Sequence, residues 1–115
     1  MQPEPKPRFH TYACHEGCPV EGALEQISGK WKGAILFHLL EGTMRFSELR
    51  DAIGGATART LTKQLRDLES DGIVERTVLP VSPPHVDYSL TPKGLELREA
   101  VAALGAWGAR HHRRP

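Results

Sequence analysis

The chain has 115 residues, with 15 basic and 14 acidic side chains and a formal net charge of +1. This length predicts one domain with a modest core, and the ordinary apolar content predicts a globular fold. No apolar run approaches the ~20 residues of a membrane span, no secretory h-region opens the sequence, and two cysteines do not make a disulfide framework. We therefore expect a cytoplasmic protein with no membrane contact, in which any basic surface is local.

A proline-rich segment and a first helix open the chain. Residues 1–13 lack hydrophobic periodicity, which predicts a flexible arm. Helical periodicity begins in "CPVEGALEQISG", where Pro19 suits the first position of a helix and Cys18 is the expected N-cap. Gly29 is expected to end this helix.

Three further helices are predicted before the middle of the chain gives way to strands. The segment "KWKGAILFHLLEG" carries a wide apolar stripe that includes Trp31, which predicts a buried helix. In "TMRFSELRDAIGG" an extended piece precedes a short helix that Gly54 and Gly55 close. Thr57 can cap the next helix through its hydroxyl, and this fourth helix is predicted to run to about Asp71.

A hairpin and a last helix complete the predicted order. "IVERTVLP" and "HVDYSLT" have the pattern of strands, and "PVSPP" between them is a proline-stiffened tip. Thr91 and Pro92 supply an N-cap and a first position for a helix that runs to about Ala109. A helix-turn-helix followed at once by a hairpin predicts a winged helix, so the fold class is α+β and mostly α. The folded domain is placed at residues 14–110, with a basic tail at residues 111–115.

The fourth predicted helix separates its apolar and basic residues. At about 100° per residue, its leucines share one side, whereas Arg59, Lys63 and Arg66 cluster on the other and acids appear only in the second half. The front of the second helix in a helix-turn-helix meets base edges, where arginine and lysine reach guanine and glutamine pairs with adenine. We therefore predict binding of double-stranded operator DNA, with Arg59 and Lys63 in the major groove and Arg76 on the backbone. The predicted DNA-contacting residues are Arg45, Ser47, Thr57, Arg59, Thr60, Lys63, Gln64, Arg66, Arg76 and His85.

A charged helix face can also be merely solvated, and a second functional interpretation stays open. The same basic helix and wing could serve a winged-helix module that binds an acidic protein partner. The positive front of the helix favours DNA over this alternative. The sequence has no phosphate-cradling glycine loop and no diagnostic serine, histidine and aspartate arrangement, so we expect no enzyme activity and no cofactor.

Several motifs in combination resemble one family. They are "CPVEGALEQISGKWKGAILFHLLEG", "MRFSELRDAIGG", "LTKQLRDLESDGIVERTV" and "VDYSLTPKG". Together, over residues 18–108, they resemble the HxlR-type family of bacterial winged-helix transcription regulators. The resemblance implies a homodimer that binds operator DNA through an interface built from the N-terminal and C-terminal helices. In some members it also implies sensing of electrophiles or oxidants through the cysteine before the proline, here Cys18. The stretch "GGATART" departs from many relatives, so a base preference does not transfer.

The last predicted helix has more apolar surface than a peripheral helix needs. Part of this surface is expected to pack on the core of the same chain. The rest is expected to meet the same helix of a twofold mate, with the first helix joining the interface. The predicted interface residues are Val20, Leu24, Leu97, Val101, Leu104 and Trp107.

Two cysteines lie near the start of the first helix. Cys18 sits at the positive end of the helix dipole, which favours a thiolate, whereas Cys14 has no such activation. If the protein senses thiol chemistry, Cys18 is expected to react first and Cys14 to resolve the product. Two alternatives stay open: Cys18 is only a capping residue, or the signal is a small-molecule effector. His10 and His15 add metal-ligating types, but the spacing matches no recognised finger, so no metal site is predicted.

Overall fold

The structure is a computed structural model that describes residues 18–111. In chain order its elements are α1 (Cys18–Ile27), α2 (Lys32–Leu39), β1 (Met44–Arg45), α3 (Phe46–Ile53), α4 (Ala58–Ser70), β2 (Val74–Leu79), β3 (His85–Leu90), α5 (Pro92–Leu95) and α6 (Arg98–His111). The strands form one antiparallel sheet in the order β1-β3-β2. The winged helix-turn-helix predicted from the sequence is confirmed: α3 and α4 are the helix-turn-helix, and β2 and β3 are the wing.

The core lies beneath α4. Leu61, Leu65 and Leu68 are fully buried, because their spacing puts them on one side of this helix. They belong to one apolar cluster with Ile35 of α2 and Leu49 of α3. Each such side chain stabilises the fold by about 1.5–3 kcal/mol relative to full exposure. The packing therefore fixes which side of α4 faces solvent.

The wing is tied to the start of the helix-turn-helix. β2 and β3 pair along their whole length, from Val74 opposite Leu90 to the tip. Tyr88 of β3 is buried, and Val86 and Leu90, two residues to either side of it, pack against the core, so these alternate residues of the strand face inward. β1 adds a short third strand in which Arg45 lies opposite Asp87. Since β1 leads directly into α3, the sheet holds the first residues of the helix-turn-helix beside the wing.

The second predicted helix starts later than the apolar pattern indicated. Trp31, expected in its buried stripe, precedes α2 with a φ of 73°, in the left-handed region. Its indole instead packs on the turn between α3 and α4, where a Cβ added at Gly55 would lie 2.7 Å from the ring. The left-handed backbone turns the chain just before α2 begins, and so the ring contacts the helix-turn-helix rather than extending the α2 stripe.

The single last helix predicted from the sequence is two helices. Thr91 caps α5 as predicted, since its Oγ1 accepts the Gly94 N–H at 3.1 Å. The Leu97 N–H then bonds to the Gly94 carbonyl at 3.0 Å, which interrupts the α-helical ladder before α6. Gly94 is buried, and a Cβ there would collide with the carbonyl oxygen of Ile73. This close approach holds α5 against the root of the wing.

Several sequence predictions lie wholly or partly outside the described residues. They concern the arm at residues 1–13, Cys14, the two histidines near it, and the tail beyond residue 111. The described residues begin at Cys18, which already belongs to α1, so the predicted cap at Cys18 and first helical position at Pro19 stay predictions. Within residues 18–111, no helix is long and apolar enough to cross a membrane, and no three His, Cys, Asp or Glu side chains group as metal ligands.

Candidate nucleic-acid interface

The front of α4 is fixed by a threonine cap. Thr57 Oγ1 accepts the backbone N–H of Thr60 at 3.1 Å and donates to Thr60 Oγ1 at 2.9 Å. The cap predicted from the sequence is therefore confirmed. The two hydroxyls, both predicted to contact DNA, are joined to each other at the exposed start of the helix.

The basic face of α4 is exposed along its length. Arg59, Lys63 and Arg66 line one open groove with Phe46 of α3 and the threonines between them. All three basic side chains are solvent-exposed, as predicted. Thr62 also lines this groove, and the sequence interpretation missed it. Its position four residues before Arg66 was the available signal, since residues four apart share a helix face.

A second cleft lies between α3, α4 and the wing. It brings together residues from four separate segments of the chain. Five of the ten predicted DNA-contacting residues are among those that line it: Arg45, Ser47, Arg66, Arg76 and His85. The remaining lining residues are Phe46, Thr62, Glu69, Val86 and Tyr88. The fold therefore places the helix-turn-helix cations and the wing cation around one concave surface that opens beside the front of α4.

Acidic side chains line both surfaces: Asp67 lines the groove in front of α4, and Glu69 lines this cleft. Glu69 lines the same cleft as Arg66, because residues three apart share a helix face. His85 Nε2 lies 3.5 Å from Asp87 Oδ1, and both side chains are only partly exposed. The cations of the cleft therefore share it with Glu69, and His85 is beside a carboxylate of its own strand.

Asp67 sits between two lysines. Its Oδ2 lies 3.4 Å from Lys63 Nζ and 3.6 Å from Lys32 Nζ. The first pair joins residues four apart on α4, a spacing that the sequence displays. The second pair joins α2 to α4 across the fold, and the sequence interpretation did not include Lys32 at all.

Gln64 lies at the margin of the basic face. It is half-buried, and its Oε1 lies 2.9 Å from where a Cβ at Gly29 would stand. The glutamine predicted to read adenine is thus placed beside the turn between α1 and α2, whereas Arg59 and Lys63 point into the open groove.

The predicted dimer surface divides into a covered part and an exposed part. Val101 is buried and Leu97 packs against the core, so the chain itself uses these two residues. The other four predicted interface residues are exposed: Val20, Leu24, Leu104 and Trp107. Phe37 of α2, which was not predicted, joins Leu24 and Leu104 around an apolar pocket between α1, α2 and α6. Cys18 is half-buried at the start of α1.

A three-helix core with a hairpin wing and a basic second helix defines the class of winged-helix proteins. The model of the HxlR-like helix-turn-helix family matches residues 26–115 of this chain. The chain is 48% identical over 99 residues to the uncharacterized HTH-type transcriptional regulator YybR of Bacillus subtilis, covering 86% of this chain and 79% of that protein. It is 48% identical over 92 residues to YtfH of Escherichia coli, covering 80% and 73%. The chain belongs to the HxlR-like helix-turn-helix family, a family of transcriptional regulators.

Solved structures give the same result. The redox regulator HypR in its oxidized form superposes with a TM-score of 0.79 and 45% identity, covering 84% of this chain and 100% of that one. The reduced form of the transcriptional regulator YodB from Bacillus subtilis superposes with a TM-score of 0.72 and 34% identity, covering 83% and 93%. The family and the fold predicted from the sequence motifs are both confirmed.

Proposed function

We propose that this regulator binds double-stranded operator DNA as a homodimer and that thiol chemistry at Cys18 changes its affinity. The observation that carries DNA binding is the cleft beside the front of α4. Residues from β1, α3, α4 and the wing surround it, and three of them are arginines. A concave surface with cations from separate elements matches a phosphate backbone that runs past an inserted helix.

The two basic surfaces have different roles in this proposal. Arg59 and Lys63, on the front of α4, enter the major groove and contact base edges. Arg76 is exposed on β2 beside the cleft, where it contacts a backbone phosphate. Base contacts specify a sequence, whereas phosphate contacts position the protein on any duplex. Substitutions in the first surface should therefore change sequence preference, whereas substitutions in the second should change affinity for every duplex.

Arg59→Ala and Arg76→Ala test this division of roles. Arg59→Ala should weaken operator binding by ~1–3 kcal/mol and relax preference at one base position. Arg76→Ala should weaken binding to all duplexes alike and reduce the slope of log K against log salt by about 1. Both are measured by fluorescence anisotropy on duplexes from the DNA flanking the gene and on a scrambled duplex.

Arg98→Ala is the matched control, because Arg98 is an exposed arginine at the start of α6, outside both grooves. It should bind like the unchanged protein. If Arg59→Ala and Arg76→Ala also bind like the unchanged protein, the assignment of α4 to the groove is wrong. If the unchanged protein is retained on heparin but binds no duplex, an acidic protein partner replaces DNA as the proposed ligand.

The proposed homodimer uses the exposed apolar side chains of the outer helices. Val20, Leu24, Leu104 and Trp107 leave apolar surface in water in the single chain. A twofold mate would cover the same patch on both subunits. The two α4 helices would then reach half-sites about one helical turn, ~34 Å, apart. This geometry predicts an operator with two half-sites related by a dyad.

The thiol proposal rests on the position of Cys18 and on the similar proteins. HypR is named a redox regulator, and it has been solved in oxidized and reduced forms. Cys18 stands at the start of α1, the helix that carries Val20 and Leu24 into the proposed interface. A disulfide or adduct at this point would move α1 and so change the spacing of the two α4 helices.

Titration with a mild oxidant, with operator binding as the readout, tests the thiol proposal. The unchanged protein should change affinity as its thiols react, and Cys18→Ser should bind operator normally but no longer respond. Cys14→Ser is the matched control and should still respond at Cys18, without the resolving disulfide. The thiol proposal fails if the unchanged protein keeps full affinity after both thiols are modified.

A further inference from the structure

Lys32 is a buried cation at the first position of α2. Its side chain is 4% exposed, although lysine is almost never fully buried without a partner. The N-terminal end of a helix also disfavours positive charge. Both the burial and the position at the start of α2 therefore disfavour a charged lysine here. An interaction with another element must stabilise it.

That interaction is with α4. Lys32 Nζ lies 3.6 Å from Asp67 Oδ2. The aliphatic stem is enclosed as well, because a Cβ added at Gly29 would lie 2.9 Å from both Cδ and Cε of Lys32 and equally close to Gln64 Oε1. The lysine is thus held between the turn that follows α1 and the middle of α4, with little freedom to reach elsewhere.

Asp67, the partner of Lys32, is also part of the proposed DNA surface. It lines the groove in front of α4, and its side chain is 29% exposed. The same Oδ2 lies 3.4 Å from Lys63 Nζ, on a side chain that is 71% exposed. A carboxylate in this place repels phosphate and also attracts the lysine that should contact DNA. Both effects weaken if a second cation neutralises Asp67 from within the fold.

We propose that Lys32 is a positioning residue for DNA binding: it neutralises Asp67 from the protein interior and so leaves Lys63 available to the nucleic acid. The lysine itself does not contact DNA, because its side chain is only 4% exposed and lines neither basic surface. It acts through Asp67, and it also fixes α4 against the turn between α1 and α2. This inference rests on the proposed function, in which the front of α4 meets DNA.

The test uses the full chain and a fluorescein-labelled random duplex of about 30 base pairs, which spans two half-sites. On a random sequence Lys63 has no specific base to contact and acts as one cation among the phosphates, so this duplex reports its charge through the sequence-independent electrostatic term. Lys32→Met keeps the apolar stem and removes the charge. It should reduce the slope of log K against log salt by about 1 and weaken binding roughly three- to tenfold at physiological salt, the loss of one phosphate contact.

The double variant Lys32→Met with Asp67→Asn should recover the original slope, because the carboxylate that holds Lys63 is gone. Lys30→Met is the matched control: it removes an exposed lysine two residues away, near the Trp31 ring, with the same change in net charge. It should leave the slope unchanged. A purely structural role for Lys32 would lower the free energy of unfolding of Lys32→Met but leave the salt slope of the folded protein unchanged.

The remaining outcomes also decide the question. The inference is overturned if Lys32→Met keeps the original slope, or if its loss persists in the double variant. If Lys32→Met does not fold, Lys32→Gln replaces it: its amide can still donate to Asp67 although the charge is gone, and a normal slope in that variant overturns the inference. The double variant should fold, because replacing both members of a buried ion pair by neutral groups is often tolerated, and a slope shallower by about 1 in it also overturns the inference. A chain that binds no duplex at all overturns the proposed function, and a normal slope in Lys32→Met overturns the inference alone.

Discussion

The helix-turn-helix and the outer helices bury their apolar residues to very different extents. α4 hides three leucines completely and presents its polar side to solvent. α1 has no buried residue, and the described part of α6 buries only Val101, while both helices expose large apolar side chains. The apolar side of α4 is therefore covered within one chain, whereas α1 and α6 leave apolar surface that association would remove from water.

A deletion in the core under α4 should cost more than a change on the exposed surface of the outer helices. Leu65→Ala should lower the free energy of unfolding by ~2–5 kcal/mol, because the deletion leaves a cavity under α4. Urea denaturation followed by circular dichroism measures the loss. A cost below about 1 kcal/mol would mean that α4 packs more loosely than its burial indicates.

A smaller effect is expected for the exposed apolar residues of α1 and α6. It should appear in the dissociation constant of the dimer and not in the free energy of unfolding. Leu104→Asn should weaken the proposed dimer by roughly 2 kcal/mol, because the twofold mate would otherwise remove an exposed leucine side chain from water. Sedimentation equilibrium measures the dissociation constant. Leu104 is 54% exposed in the single chain, so the fold should lose little.

Val81→Asn is the control for this second effect. Val81 is equally exposed, at 52%, but it lies at the tip of the wing. It should leave the dissociation constant unchanged. Equal weakening by both variants would mean that general surface hydrophobicity, and not the α1 and α6 surface, drives association.

The predictable features of this fold depend on residues close in sequence. Thr57 and Thr91 could be assigned as caps because a hydroxyl bonds to an N–H three residues later. The basic face of α4 could be assigned because helical spacing fixes which residues share a side. The sequence did not predict which residues line the cleft together. Arg45 and Arg76 line the same cleft because the three strands pair in the order β1-β3-β2.

The unpredicted features depend on contacts between distant residues. Trp31 fits the apolar spacing of α2, and only its contact with Gly55 explains why it precedes the helix in a left-handed conformation. Lys32 has the pattern of an ordinary solvated lysine until α4 is placed beside it with Asp67. Helical periodicity describes one element at a time, so it cannot report a contact across two of them.

Removing the charge of Glu69 should have a weaker effect than Leu65→Ala or Leu104→Asn. Glu69 lines the cleft with Arg66 and Arg76, where its charge opposes an approaching phosphate. At a separation of several ångströms near the surface, such a repulsion amounts to roughly 0.5 kcal/mol, because solvent and salt screen it. Glu69→Gln should therefore tighten binding about twofold on every duplex, mainly through faster association.

Stopped-flow anisotropy at two salt concentrations measures this change for Glu69→Gln, and the gain should shrink as salt rises, because screening already removes part of the repulsion. Glu99→Gln is the matched control, since Glu99 is an exposed acid in the first turn of α6, on an outer helix. If both variants tighten binding equally, only the net charge of the chain matters and the cleft has no special place in the complex. If Glu69→Gln alone tightens binding, the cleft lies within reach of the phosphates. DNA then meets the cleft and not the outer helices, which remain available for association.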